Sequence, residues 1–314
     1  MTRTRTALLA FAAASGLALT GCAVDQTQSG TAEGAGPLTI ACGAMEDLCQ
    51  KWTETFTAAT GIDATYVRLS SGETVARLDS AKDNPEFDVW HGGPVDGYGA
   101  AAEKGLIEAY DSPSAAPIPD KYKDAEHYWT GVYVGVLGFC SNQTVLDGLG
   151  VKVPTTWDDL LNPALKGQVS TAHPSTSGTA FTTLWTQRTR LGGDDAAFDY
   201  MKKLHNNVLQ YTKSGTAPGQ IAGRGEVGVA LIANSKNKEA AQKYIDWAIS
   251  PDAQNVGQTV GSYQVLTHPD AKTDERMVNL DDVKLIDYDF GAAAAAKPEL
   301  TARFDEESAA QPKE

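Results

Sequence analysis

The chain has 314 residues, 42% of them hydrophobic, and carries 26 Lys and Arg against 40 Asp and Glu for a net charge of −14. That length fits one large or two ordinary domains. The acidic balance argues against nucleic acid as a partner, because gripping a phosphate backbone needs basic patches that displace its counterions.

Residues 1–21 begin with Arg3 and Arg5, continue through an apolar run too short to cross a bilayer with margin, and close on small residues. This is the three-part layout of an export signal peptide. The run ends Leu19-Thr20-Gly21-Cys22, which looks like a lipobox, so Cys22 is the expected lipidation site. Residues 22–37 hold too little apolar surface to fold and read as a flexible linker between lipid and body. Beyond them, Cys42, Cys49 and Cys140 allow three single pairings in an oxidising space, or none, and spacing alone leaves the choice open.

From residue 38 onward short strands alternate with amphipathic helices, which is the pattern of an α/β fold. Residues 38–42 read as a strand. The following helix has Met45, Leu48, Cys49, Trp52, Phe56 and Ala59 at helical spacing, and Gly61 stops it. A strand at 62–69, the turn Ser70-Ser71-Gly72-Glu73 and a helix at 74–81 come next. Residues 87–91 form a third strand closed by Gly92-Gly93, and Pro94 suits the first turn of a helix that ends at Gly105. A polar, proline-bearing passage leads into 128–142, whose apolar run predicts one long strand crossing between two lobes.

A second series follows: a helix at 156–161, a strand at 168–171, and a helix at 177–191 with Phe181, Leu184, Trp185 and Leu191 on one face. Segment 195–206 and strands at 208–211 and 227–233 complete it. Residues 235–250 form a helix that turns Ala241, Tyr244, Ile245 and Ala248 inward, and the rest of the chain is mostly helical. No repeat of fixed period is present.

Three turns share one design. Ser70-Ser71-Gly72, Ser175-Thr176-Ser177-Gly178-Thr179 and Ser214-Gly215-Thr216 each lie between a predicted strand and a predicted helix. A helix N-terminus exposes free amides and about half a positive charge, so it holds an oxyanion without any lysine. In open α/β sheets the ligand crevice lies beyond the carboxyl ends of the strands, where these turns fall. One such turn could be a plain N-cap; three of them on two lobes facing one cleft point to a ligand. Trp90 and His91 are expected at a strand end on the cleft side.

Nucleophilic catalysis would need Ser177 with His173 as its base. STSGT lacks the glycine two places before the serine that a nucleophile elbow uses, and His173 precedes Pro174 in an extended turn, so no catalytic residue is expected. The five histidines are scattered without HExxH or CxxC spacing, so neither a metal centre nor a cofactor is expected.

The ordered series FDVWHGG, EKGLIEAY, HYWTGVYVGVLGFCSN, VPTTWDDLLNPALKGQVSTAHPSTSGTAF, GRGEVGVAL and NSKNKEAAQKYIDWAISPDAQ resembles extracellular solute-binding proteins of ABC importers. The nearest branch holds ferric-ion, phosphonate and sugar-phosphate receptors. The resemblance implies an α/β, type II periplasmic-binding fold of two lobes, each a mixed sheet flanked by helices. Lobe 1 would comprise 38–135 and 235–314, and lobe 2 136–234, with hinge closure onto the ligand. It implies a monomer without enzyme activity that works with an ABC permease and is held at the membrane through Cys22, on the extracytoplasmic side.

Carried over residue by residue, Ser70, Ser71, Gly72, Ser175, Thr176, Ser177, Gly178 and Ser214 would contact a small anionic solute, with Trp90 and His91 beside them. A phosphorylated or phosphonate compound is the first expectation, and ferric ion with a synergistic anion the second. Ferric receptors of this kind carry adjacent tyrosines after the GEVGVAL strand, and none of the eleven tyrosines here is adjacent to another. A further departure follows Leu231: where a few dozen residues and a second crossover strand are expected, Ile232-Ala233-Asn234 runs straight into the next helix. An internal deletion is therefore expected, and with it the alternative of a surface scaffold that has lost its ligand.

Overall fold

In the computed structural model, Leu38–Cys42 forms β1, with Leu38, Ile40 and Cys42 turned to one apolar cluster and Ala41 to another. That alternation is what a strand covered on both faces requires. The structure describes residues 37–215 and 227–309. The signal peptide, Cys22, all of the linker but residue 37, and Thr216 lie outside the described residues.

Helix α1 (Glu46–Thr60) ends where Gly61 turns left-handed at φ 73° and gives its amide to the Thr57 carbonyl. Next come β2 (Ala64–Arg68), α2 (Ser71–Ser80), β3 (Val89–Pro94), α3 (Asp96–Glu103), β4 (Ile107–Glu108) and β5 (Thr130–Val134). The middle of the chain supplies α4 (Gln143–Leu149), β6 (Val169–Ala172), α5 (Gly178–Leu191), α6 (Asp194–His205) and β7 (Val208–Thr212). After it follow β8 (Val227–Ile232), α7 (Lys238–Ala248), α8 (Pro251–Asn255), β9 (Val265–Leu266) and α9 (Phe290–Glu307).

The larger sheet runs β2-β1-β3-β8-β5-β9, with β4 also on β8. Its β1 pairings are parallel and the others antiparallel, so the sheet is mixed. The smaller sheet is the parallel pair β6-β7. One apolar cluster lies where α1 and α7 cover the larger sheet, and a second where α3 covers its other face. The third joins α5, α6 and α9 through Phe181, Phe198, Leu300 and Phe304.

Residues 227–232 lie in the larger sheet between β3 and β5, and the C-terminal helix α9 packs into the third cluster with α5 and α6. Two expectations are corrected. The strand in 128–142 stops at Val134, because apolar character supplies no backbone partner and the pairing of β5 to β8 and β9 ends there. The helix at 156–161 is a 3-10 turn, Asp158–Leu161.

The cysteine question is also answered. The end of β1 and the first turn of α1 bring Cys42 and Cys49 to a Cα separation of 6.0 Å, and they form a disulfide, leaving Cys140 as an exposed free thiol.

Candidate ligand-binding site

Helix α2 starts right after Ser70, whose hydroxyl accepts from the Glu73 amide. The Glu73 carboxylate in turn takes the Ser70 amide at 2.9 Å and the Ser70 hydroxyl at 2.7 Å. This capping box is why the helix opens at Ser71 and not at 74. The Ser70 amide is the main reason the Glu73 carboxyl sits below its ordinary range, and Lys213 and Arg68 add to the effect. Helix α5 opens in a similar way, with the Ser177 hydroxyl accepting from the Ala180 amide. Its first-turn amides, those of Gly178 and Thr179, have no intrahelical partner.

These two N-termini meet. The Gly72 amide donates to the Thr176 carbonyl over 3.1 Å. A Cβ on Gly72 would stand 2.9 Å from the Ser175 carbonyl oxygen, and one on Gly178 only 2.5 Å from Pro94 Cδ, so both approaches require glycine. Between the turns lies a hollow of about 20 Å³ walled by Ser70, Ser71, Ser177, Gly178, Thr179 and Ser214, with Gly43, Gly93, Pro94 and Gly215. It has room for about one water molecule, so a phosphoryl group enters only when the turns part.

Arg68, at the end of β2, brings a positive charge to this place. Its Nη2 donates to Ser214 Oγ over 2.9 Å and its Nε to the Ala44 carbonyl over 3.2 Å. Nothing in the serine and glycine pattern marked it. The available signal was a lone cation at a strand end directly before the Leu69-Ser70-Ser71-Gly72 turn of an acidic chain.

Of the expected contacts, Ser70, Ser71, Ser177, Gly178 and Ser214 line the hollow. Gly72, Ser175 and Thr176 form the neck that joins the turns instead. Ser175 directs its hydroxyl to His173 Nδ1 at 2.6 Å, and Thr176 bonds the His173 carbonyl. Trp90 and His91 are a correction: both are fully enclosed. Strand β3 continues to Pro94, so they are interior positions on opposite faces of a covered sheet. Trp90 stacks on Tyr98 in one cluster, while His91 stacks on Trp52 and its Nδ1 meets the Tyr244 hydroxyl at 2.9 Å.

His173 faces away from Ser177. Its Nε2 donates to the Ala309 carbonyl over 2.9 Å and its Nδ1 accepts from Ser175. Among the described residues no group of three or more His, Cys, Asp or Glu side chains is gathered closely enough to hold a metal ion.

Residues 95–231 match the family described as bacterial extracellular solute-binding protein. An uncharacterised protein of Haemophilus influenzae is 35% identical over 302 residues, covering 83% of this chain and 87% of the relative. The chain belongs to the bacterial extracellular solute-binding proteins. The periplasmic binding protein AfuA from Actinobacillus pleuropneumoniae, solved with exogenous fructose-6-phosphate bound, shares 32% identity with this solute-binding protein. The match has a TM-score of 0.82 over 88% of this chain and 99% of the other. The periplasmic binding protein P5PA matches at 30% identity and a TM-score of 0.82, over 87% and 100%. This solute-binding protein therefore has the two-lobed type II periplasmic fold of ABC importers, which implies a small solute, a permease partner and a place outside the cytoplasm. The Haemophilus alignment uses only 83% of 314 residues for its 302 positions, leaving several tens of positions to the relative alone.

Proposed function

We propose that this solute-binding protein captures a small phosphorylated or phosphonate compound for its ABC permease, by closure of the α2 and α5 turns around the anion. One observation carries the reading: the N-termini of α2 and α5 converge on a single hollow beside Arg68. The Ser71 amide of α2, the Gly178 and Thr179 amides of α5, the Ser71 and Ser177 hydroxyls and one guanidinium suit an anion with several oxygens. The fructose-6-phosphate of AfuA supports the same class. Attachment through an acylated Cys22 is part of the proposal, and the Leu19-Thr20-Gly21-Cys22 run supports it.

Thermal melts of the full chain against phosphate, hexose phosphates, phosphonates and ferric citrate test the cargo, since a ligand of the native state raises the melting temperature by mass action. The expected outcome is stabilisation by a phosphorylated or phosphonate compound. No shift with any of them would leave the scaffold reading, and a visible charge-transfer colour with ferric salt would favour iron. Replacing Cys22 with Ala should move the protein from the membrane to the soluble fraction.

A further inference from the structure

A second and much larger cavity, of about 340 Å³, opens against β6. Among the described residues β6 pairs with β7 alone, and Val169, Ser170, Thr171 and Ala172 of β6 line this cavity. The volume falls in the range of small-molecule sites. Phe139, Leu146, Trp157 and Leu165 supply apolar wall, with Phe139 edge-on to Trp157 at 5.0 Å.

Thr179 and Gly215 line both this cavity and the small hollow. The two spaces therefore both lie against the first turn of α5. Two polar groups of the larger wall are engaged within the chain: Asn142 Oδ1 accepts from the Val145 amide, and the Thr183 hydroxyl donates to the Thr179 carbonyl. Ser170 Oγ, also in the wall, is buried without a partner. An apolar body would gain by leaving water against Phe139, Leu146, Trp157 and Leu165, and the Ser170 hydroxyl could take one polar substituent on it.

Building on the anion reading above, we propose that the solute is amphiphilic: a phosphoryl or phosphonate head at the N-terminus of α5, and an aromatic or short alkyl body in the cavity beside β6. Among the described residues β6 has no second partner strand, and the space beside it is available to a ligand. Selectivity then shifts from sugar hydroxyls to apolar surface.

Calorimetric titration of the full chain with inorganic phosphate, methyl phosphate, phenyl phosphate and fructose-6-phosphate tests this. Phenyl phosphate is expected to bind about ten-fold or more tighter than methyl phosphate, from burial of its ring, and to slow alkylation of Cys140, which lies in the cavity wall. Thr183→Phe, which fills the cavity, should make phenyl and methyl phosphate bind alike. Val145→Trp at the cavity rim is the second variant should the first not fold. Equal binding of the phenyl and methyl esters, or tighter binding of fructose-6-phosphate, overturns the amphiphile and leaves the anion reading standing. Binding of none of the four overturns both.

Discussion

The Gly72 amide and the Thr176 carbonyl are hydrogen-bonded at 3.1 Å, and that bond joins the first turn of α2 to the turn that leads into α5. The contact sits at the neck of the hollow, where closure onto a ligand would be completed. Gly72→Ala places a methyl group 2.9 Å from the Ser175 carbonyl oxygen and 3.0 Å from Thr176 Cα, and backbone cannot swing aside. Alanine is otherwise welcome in a helix. The expected outcome is a protein that folds with near-normal helix content by circular dichroism but binds phosphate about ten-fold more weakly or worse, the loss of about 1.4 kcal/mol. Small-angle scattering with phosphate present should show a larger radius of gyration than the parent.

Arg68→Gln keeps a donor near Ser214 and removes the charge. A hydrogen bond to a charged group contributes about 1.5–3 kcal/mol, so phosphate affinity should fall roughly ten- to hundred-fold. Its dependence on ionic strength should flatten as well. Titration at two salt concentrations checks both effects.

His91 sets an acid sensitivity. Its ring is fully enclosed, and burial pushes its pKa down to about 3 from the ordinary 6.5. The unfolded chain therefore binds the proton more readily between those values. This contribution to stability is present above pH 6.5 and is lost as pH falls toward 3, by up to about 1.4 kcal/mol per unit. His91→Phe combined with Tyr244→Phe, which removes both polar partners, should lessen the slope of unfolding free energy between pH 6.5 and 4.5. Urea titrations at several pH values measure it. The Glu73 carboxyl, held low, acts only below its own ordinary range near 4.5.

The ion pair of Lys297 with Asp96 ties α9 to α3. The Asp96 side chain is 1% exposed, and the lysine ammonium also stands 5.0 Å over the Phe181 ring. Lys297→Met leaves a buried carboxylate without its cation, a change that costs about 3–5 kcal/mol. The double variant with Asp96→Asn should recover most of that loss, and urea unfolding distinguishes the two.

Reduction of Cys42–Cys49 frees a loop with a sequence separation of 7. A loop of that size corresponds to about 2–3 kcal/mol of stability. Native alkylation should reach Cys140 and spare Cys42 and Cys49, which peptide mass mapping reads directly.

Some features needed only neighbouring residues. Helix α1 with its Gly61 stop, α5 with Ser177 as its cap, and the serine and glycine turns before α2 and α5 were legible because periodicity and capping act within a few residues. The family likeness was legible for a related reason: it resides in contiguous runs such as TWDDLLNPALKG and HPSTSGT.

Other features depend on what lies across space. That β5 ends at Val134, that β8 enters the larger sheet, and that Trp90 and His91 are enclosed all follow from which strand pairs with which, and no local pattern states it. The same holds for Cys42 choosing Cys49, for Arg68 reaching Ser214 across 146 positions, and for the cavity beside β6. The amino-acid sequence by itself determined the helices, their caps and the kind of charge they attract, since those are short-range matters of spacing and hydrogen bonding. Only the tertiary structure decided which of those caps share a hollow and what lies beside it, because pairing and burial are settled between segments distant along the chain.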